Sequence, residues 1–281
     1  MPIPRILDAH VHFFERPALH YPWAEGEAGL EAPAGPSEFF RDASPALEKL
    51  VFVEAGAAAG QHLEEARIVQ RLADADPRIA AIVAHAPVEK GAAVETDLAA
   101  LAELPALRGI RRLIQGEADP GFCLEPAFLE GLHRLARYHL SLDLCLKSWA
   151  MPYALELARR CPELSFILDH AGKPDIRHGL RDPWWQQMRE LAALPNTVCK
   201  LSGLITEARQ PWQATDIAPY LDHILACFGP GRVLFGSDWP VSRLTHGYAD
   251  WLAMVERAVG GLSAEAQDSV FFGNAARVYR I

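Results

Sequence analysis

The stretch Ile6-Leu7-Asp8-Ala9-His10-Val11-His12-Phe13 is an apolar, strand-like run that ends on two imidazoles. Far along the chain, Val233-Leu234-Phe235-Gly236-Ser237-Asp238-Trp239-Pro240 repeats the design with a carboxylate at its end. Side chains two apart on a strand share a face, so His10 and His12 point one way at the strand's carboxyl end. Asp238 holds the matching place on the second run. A carboxylate closing so apolar a strand must be solvated, paired or ligated, because bare burial is costly. A helix N-cap ahead of Pro240 is its plainer role. Only a sheet that closes on itself brings such distant ends together. A parallel α/β barrel does so, and gathers its chemistry at the carboxyl ends of the strands.

The pattern between the two runs agrees. Eight strands are predicted at residues 6–13, 50–54, 79–85, 107–114, 140–146, 164–170, 197–202 and 233–238. Ala/Leu-rich stretches of helical period fall between them, at 62–74, 92–104, 126–138, 151–160, 183–194, 212–228 and 248–259. The last segment, 274–279, closes the chain after 263–270. Alternation of this kind argues for a parallel sheet, and the fold class expected is α/β, a (β/α)8 TIM-like barrel. An open doubly wound sheet is the alternative, but no GxGxxG follows the first strand. No linker, repeat or low-complexity tract appears, so residues 1–281 read as one domain. Residues 14–46 form a long loop rich in Pro, Gly and Glu, with His20-Tyr21-Pro22-Trp23 inside it. An aromatic-proline cluster in such a loop is expected to cover the barrel mouth.

Composition narrows the function. Half of the 281 residues are hydrophobic and the mean hydropathy is near zero, as in an ordinary soluble protein. A net charge of −9 argues against nucleic acid and anionic membrane as partners. No apolar stretch approaches the roughly 20 residues a membrane span needs. Met1-Pro2-Ile3-Pro4-Arg5 leads straight into a strand, without the shape of a signal peptide. The five cysteines, Cys123, Cys145, Cys161, Cys199 and Cys227, form no CxxC pair and suit a reduced, cytoplasmic setting as small buried residues. The partner expected is a small molecule.

Other strand ends carry chemistry too. The sixth run ends on Asp169-His170 before Ala171-Gly172-Lys173-Pro174, residues that suit a backbone turning away. His170 is a site candidate, although a hydrogen-bonded core histidine is the simpler role. Arg111 and Arg112 are neighbours on the fourth strand and must face opposite ways, one into the mouth. Glu54 ends strand two, Asp143-Leu144-Cys145-Leu146-Lys147 ends strand five, and Cys199-Lys200-Leu201-Ser202 ends strand seven. Each lysine reads equally as a surface charge. A mouth lined by Arg, Lys and His suits an oxygen-rich or anionic small molecule.

Taken together, DAHVHF, VEAG, RGIRR, LDHAGKPDI, CKLSGL, FGSDWPV and the closing FFGNAARVYR resemble the lactonase branch of the amidohydrolase superfamily. That branch includes sugar-acid lactonases acting on fuconolactone and rhamnonolactone, and pyrone-dicarboxylate lactonases. The likeness runs from Asp8 to Tyr279. Residues 111–115 with 143–145 look more like the sugar lactonases. The resemblance implies a distorted (β/α)8 barrel and a hydrolase acting on a cyclic ester. One departure bears on mechanism: metal-dependent amidohydrolases place a histidine on strands four to five, and the fifth strand here has none. A single divalent ion such as zinc then has His10, His12, Glu54 and Asp238 as ligands, with catalysis expected not to require it.

The reaction expected is hydrolysis of an L-fuconolactone or L-rhamnonolactone to its aldonic acid. Asp238 acts as general base, with a pKa raised by desolvation toward the working range. His12, His170 and Arg111 polarise the carbonyl, and His10 orients Asp238. Arg111, Lys200, Glu54, Trp23 and Trp239 are expected around the substrate. The runner-up is a metal-dependent decarboxylase or hydrolase of a cyclic or aromatic carboxylate, pyrone-dicarboxylate lactonase included. A non-catalytic binding protein on the same scaffold would have lost the acid–base groups at the strand ends, and these are present.

Overall fold

The computed structural model describes residues 5–281; residues 1–4, on which the expectation about a signal peptide rests, lie outside that range. Eight parallel strands form in chain order: β1 (Ile6–Val11), β2 (Leu47–Val53), β3 (Ile79–His85), β4 (Leu107–Arg111), β5 (Ser141–Leu144), β6 (Phe166–Leu168), β7 (Thr197–Leu201) and β8 (Val233–Phe235). Each pairs in parallel with the next. A parallel bridge between Val11 and Trp239 joins the last segment to the first. The bonds there are His12 N–H to Trp239 O at 2.8 Å and Asp238 N–H to His10 O at 2.9 Å. The sheet is therefore a nearly closed barrel, and the open alternative is excluded.

The layer around it consists of α1 (Pro36–Asp42), α2 (His62–Ala75), α3 (Glu95–Ala102), α4 (Pro126–Arg137), α5 (Met151–Arg160), α6 (Trp184–Ala192), α7 (Ala214–Phe228) and α8 (Tyr248–Val259). Two short helices end the chain, α9 (Ala264–Asp268) and α10 (Asn274–Tyr279). Three expected bounds shift for a physical reason. The third helix starts late because Val88–Val94 forms tight turns around Gly91 at φ 58°. Strands β6 and β8 stop after three residues because left-handed backbone follows at His170 and Asp238. Both groups therefore sit on turns beyond their strands.

Two buried layers result. Leu7, Ala9, Val53, Val83 and Ile167 form an inner cluster with Ala275 and Tyr279, which brings α10 under the barrel. Ile6, Leu50, Phe52 and Ile82 pack outward against the helices. Between Asp8 and Val11 the first strand advances three residues while its partner, Leu50 to Phe52, advances two. Such a bulge re-aims side chains. Here Ala9 and His10, neighbours in sequence, both belong to the barrel interior. No helix among the described residues is long and apolar enough to cross a membrane.

Candidate active site

The bulge places His10 and His12 with their Nε2 atoms 3.1 Å apart. His12 is fixed by its Nδ1–H, which donates to Val53 O at 2.8 Å. Asp8 ties this strand end to the far end of the chain. Its Oδ1 accepts the backbone N–H of His10 at 3.1 Å and that of Ser237 at 2.9 Å. Asp238 follows in left-handed backbone, φ 59°, a conformation that Asp and Asn tolerate better than most residues. Its Oδ1 lies 3.4 Å from His12 Nε2, 3.6 Å from His10 Nε2 and 3.9 Å from His170 Nε2.

His170 arrives on a more unusual backbone. His170, Ala171, Gly172 and Lys173 all have φ between 46° and 69°, one full left-handed turn past β6. Such backbone costs about 1–2 kcal/mol per L-residue, and strain of this kind concentrates at working sites. The turn is held by Trp184 Nε1–H donating to Ala171 O at 2.8 Å, and His170 Nδ1 bonds Ser202 Oγ at 2.9 Å. Glycine is required at 203, where φ is 62° and a Cβ would stand 2.6 Å from His170 Nδ1. The turn brings both His170 and Lys173 to one cavity of about 300 Å³, whose wall also holds His12, Trp23, Arg111 and Asp238.

The sequence-predicted residues divide cleanly. His10, His12, His170 and Asp238 converge. Arg111 points inward and Arg112 outward, to Glu89 at 3.0 Å and Glu117 at 2.7 Å. Trp23 borders the cavity and donates Nε1–H to Ala55 O at 2.8 Å, which agrees with the loop 14–46 as a cover. Three expectations need correction. Glu54 is unavailable to metal or substrate: its Oε1 accepts Arg111 Nε–H at 2.7 Å and its Oε2 accepts Gly56 N–H at 2.8 Å. Lys200 is wholly buried beneath His10 and does not border the cavity. Trp239 is buried against Phe13 and Phe39 and donates to Asp42 at 2.9 Å, so its ring fills the core rather than the site.

Sequence reasoning also missed several groups. Lys173, Gln115 and Cys145 border the cavity. Asp169 bridges Arg111 and Lys200, at 3.3 and 2.9 Å. Tyr279 reaches up from α10 to donate to Asp143 Oδ2 at 2.9 Å. The signal for Asp169 and Lys173 was present in the segment 169–173; that for Tyr279 was not, because only the barrel's closure brings it near β5.

Protonation follows from these surroundings. Burial drives His10 well below the ordinary histidine range and His170 down to about 4, so both rings are neutral near pH 7. Burial alone would raise the Asp238 carboxyl, as expected from sequence, but the imidazoles of His170, His12 and His10 override it and hold the group below the usual carboxylate range. Asp238 is thus an ionised acceptor in the resting site. Neutral imidazoles around an ionised carboxylate are the state that metal binding requires. Ligand atoms of His10, His170 and Asp238 lie within 4.8 Å of one another. The His10–His12 contact fits as well: two nitrogens on one tetrahedral zinc stand about 3.3 Å apart for bonds of 2.0–2.1 Å. The donor set suits a divalent ion of the zinc type.

A barrel with this constellation at the carboxyl ends of its strands defines a hydrolase of the amidohydrolase class. The amidohydrolase family pattern matches residues 7–281, and the chain belongs to that family. Among its relatives is an L-fucono-1,5-lactonase of Burkholderia ambifaria, 33% identical over 285 residues, covering 98% of this chain and 95% of that protein. An L-rhamnono-gamma-lactonase of Scheffersomyces stipitis is 27% identical over 72% of this chain and 69% of its own. A crystal structure of an amidohydrolase from Burkholderia multivorans with bound zinc superposes with a TM-score of 0.87, at 32% identity and 99% coverage of both chains.

Proposed function

We propose that this protein hydrolyses the lactone of a six-carbon sugar acid, of the L-fucono- or L-rhamnono- type, to the open aldonate. The observation that carries the reading is the ionised Asp238 carboxylate at the wall of a cavity of about 300 Å³ that also holds Arg111 and Lys173. That volume is at the small end of ligand sites and suits one sugar ring. The names of the lactonase relatives point to the same ester chemistry.

Asp238 Oδ1 takes a proton from water as the water oxygen attacks the lactone carbonyl carbon. Arg111 offers N–H bonds to the oxygen that becomes negative. His170 offers Nε2–H when Ser202 donates to its Nδ1. His12 is no donor in its neutral form, since its Nδ1–H is held by Val53 O; this departs from the expectation that it polarises the carbonyl. The tetrahedral centre collapses by breaking its bond to the ring oxygen, and Asp238 returns the proton to that leaving oxygen. The new carboxylic acid then ionises beside Arg111 and Lys173. A divalent ion such as zinc, held by His10, His12 and Asp238 with His170 beside them, would supply carbonyl polarisation and a more acidic water.

The test is a panel of lactones followed with a pH indicator, with and without chelator. L-fucono- and L-rhamnonolactone are expected to release acid. Turnover of a pyrone dicarboxylate with none of any sugar lactone would replace this reading with the pyrone one.

A further inference from the structure

Lys200 is an ionised group of the barrel interior that the hydrolysis does not touch. Its ammonium meets three acceptors: Asp143 Oδ2 at 2.5 Å, Asp169 Oδ1 at 2.9 Å and His10 Nδ1 at 3.1 Å. An ammonium has three N–H bonds and no lone pair. Its contact with His10 is a hydrogen bond only if Nδ1 carries the lone pair, which leaves the ring proton on Nε2. The opposite side of the ring asks for the same tautomer. His12 donates Nδ1–H to Val53 O, so in the neutral tautomer that this bond selects, Nε2 is a lone pair. Two facing Nε2 lone pairs at 3.1 Å would repel. A proton on His10 Nε2 turns the contact into an N–H···N bond.

The other tautomer has partners as well. Asp169 Oδ1 lies 3.4 Å from His10 Nδ1 and would accept its proton. Arg111 Nη1 lies 3.4 Å from Nε2 and would donate to it. Both contacts are longer than those of the first state, and Arg111 Nη1 has an alternative acceptor in Asp169 Oδ2 at 3.3 Å. With His12 in the tautomer above, this second state leaves two lone pairs facing each other, an arrangement that a cation between His10 and His12 stabilises. Carboxylates that hold the far nitrogen of a ligating imidazole are a common support for bound metal.

We propose that Lys200 is a positioning residue that sets a two-state tautomer switch at His10. Without metal, the ammonium keeps the His10 proton on Nε2, in the gap facing His12. With a divalent ion in the gap, the proton sits on Nδ1 and Asp169 accepts it. The ion must therefore displace a proton that Lys200 holds in place, and the barrel floor tunes how readily the site takes metal. The inference concerns the histidine pair of the proposed hydrolysis, but its test uses no substrate, so it and the lactone reading fail separately.

The direct measurement is the tautomer of His10. Protein labelled with ¹⁵N-histidine and stripped with chelator is recorded in two-bond ¹H–¹⁵N spectra, with the His10 signals identified by their loss in His10→Gln. The expected result is Nε2–H in stripped protein and Nδ1–H after zinc is added; Nδ1–H in the stripped protein overturns the proposal. The second measurement is zinc affinity of Lys200→Met/Asp143→Asn, by competition with a chromophoric chelator. This pair removes one positive and one negative charge together and leaves Tyr279 an oxygen acceptor. Zinc is expected to bind about tenfold tighter or more, the scale of one lost hydrogen bond from a charged donor. Equal or weaker binding overturns the proposal. Should the double variant not fold, the spectra of the unaltered protein decide alone.

Discussion

Arg111 Nε–H donates to Glu54 Oε1 at 2.7 Å, and a second guanidinium nitrogen donates to Glu54 O at 2.5 Å. The pair spans from the end of β4 to the end of β2, past the intervening β3. Both residues are buried, and the carboxylate is held below its usual range: burial opposes this, and the Arg111 charge outweighs it. Removing one member leaves a bare buried charge, which typically costs about 3–5 kcal/mol. Arg111→Met should lower the urea-unfolding free energy by that order. Arg111→Met/Glu54→Gln should recover much of it while turnover stays low. A single variant as stable as the parent would show that the pair is not structural.

Asp238→Asn should cut turnover on the order of 10²-fold or more, as loss of a general base does. Its stability should change little, because Asn accepts the φ of 59° found here. Circular dichroism and a lactone assay on the same sample check both halves. Near-normal turnover in the folded variant removes Asp238 from the reaction.

The two tryptophans named from sequence should separate experimentally. Trp23→Phe alters the cavity wall and is expected to raise KM several-fold with kcat nearly kept. Trp239→Phe removes a buried N–H bond to Asp42 and should cost on the order of 1 kcal/mol in stability with KM unchanged. A KM effect confined to Trp239 would reverse their assignment.

Glu65 gives a pH signature away from the histidines. It is buried on α2, accepts Ala55 N–H at 3.1 Å, and is pushed up to about 8 by burial and by the nearby charge of Glu54. Its folded pKa lies above its ordinary value of 4.5, so the native state binds the extra proton between those limits. The contribution to stability is complete below about 4.5 and is lost as pH rises toward 8. Glu65→Gln, which never ionises, should show a smaller fall in Tm between pH 5 and 8 than the parent. Parallel curves for the two proteins would place the titration elsewhere.

Much of this was legible in the chain. The eight strands, the helix at Met151–Arg160 and the inward aim of one arginine of the pair 111–112 all follow from periodicity, since alternation and helical spacing are local properties. The four converging residues were legible for the same reason: each sits at or just beyond the end of an apolar run. Lys200 misled because a lysine at a strand end reads as solvent-facing, and nothing local shows that Asp143 and Asp169 wait inside to receive it. Trp239 misled because its neighbour Asp238 points to the site, while the ring lies across the turn against Phe39.

Sequence by itself determined the class of fold and the residue types at the barrel's mouth, because hydrophobic period and turn chemistry act over a few residues. Tertiary structure alone decided the chemistry those residues have. The three-residue advance of β1 against two on β2, the left-handed turn at 170–173 and the buried Lys200 decide which nitrogens face each other and which protons lie between them. Those outcomes depend on groups hundreds of residues apart meeting at hydrogen-bond distance in a low-dielectric interior, where an ångström or a proton changes which state is stable.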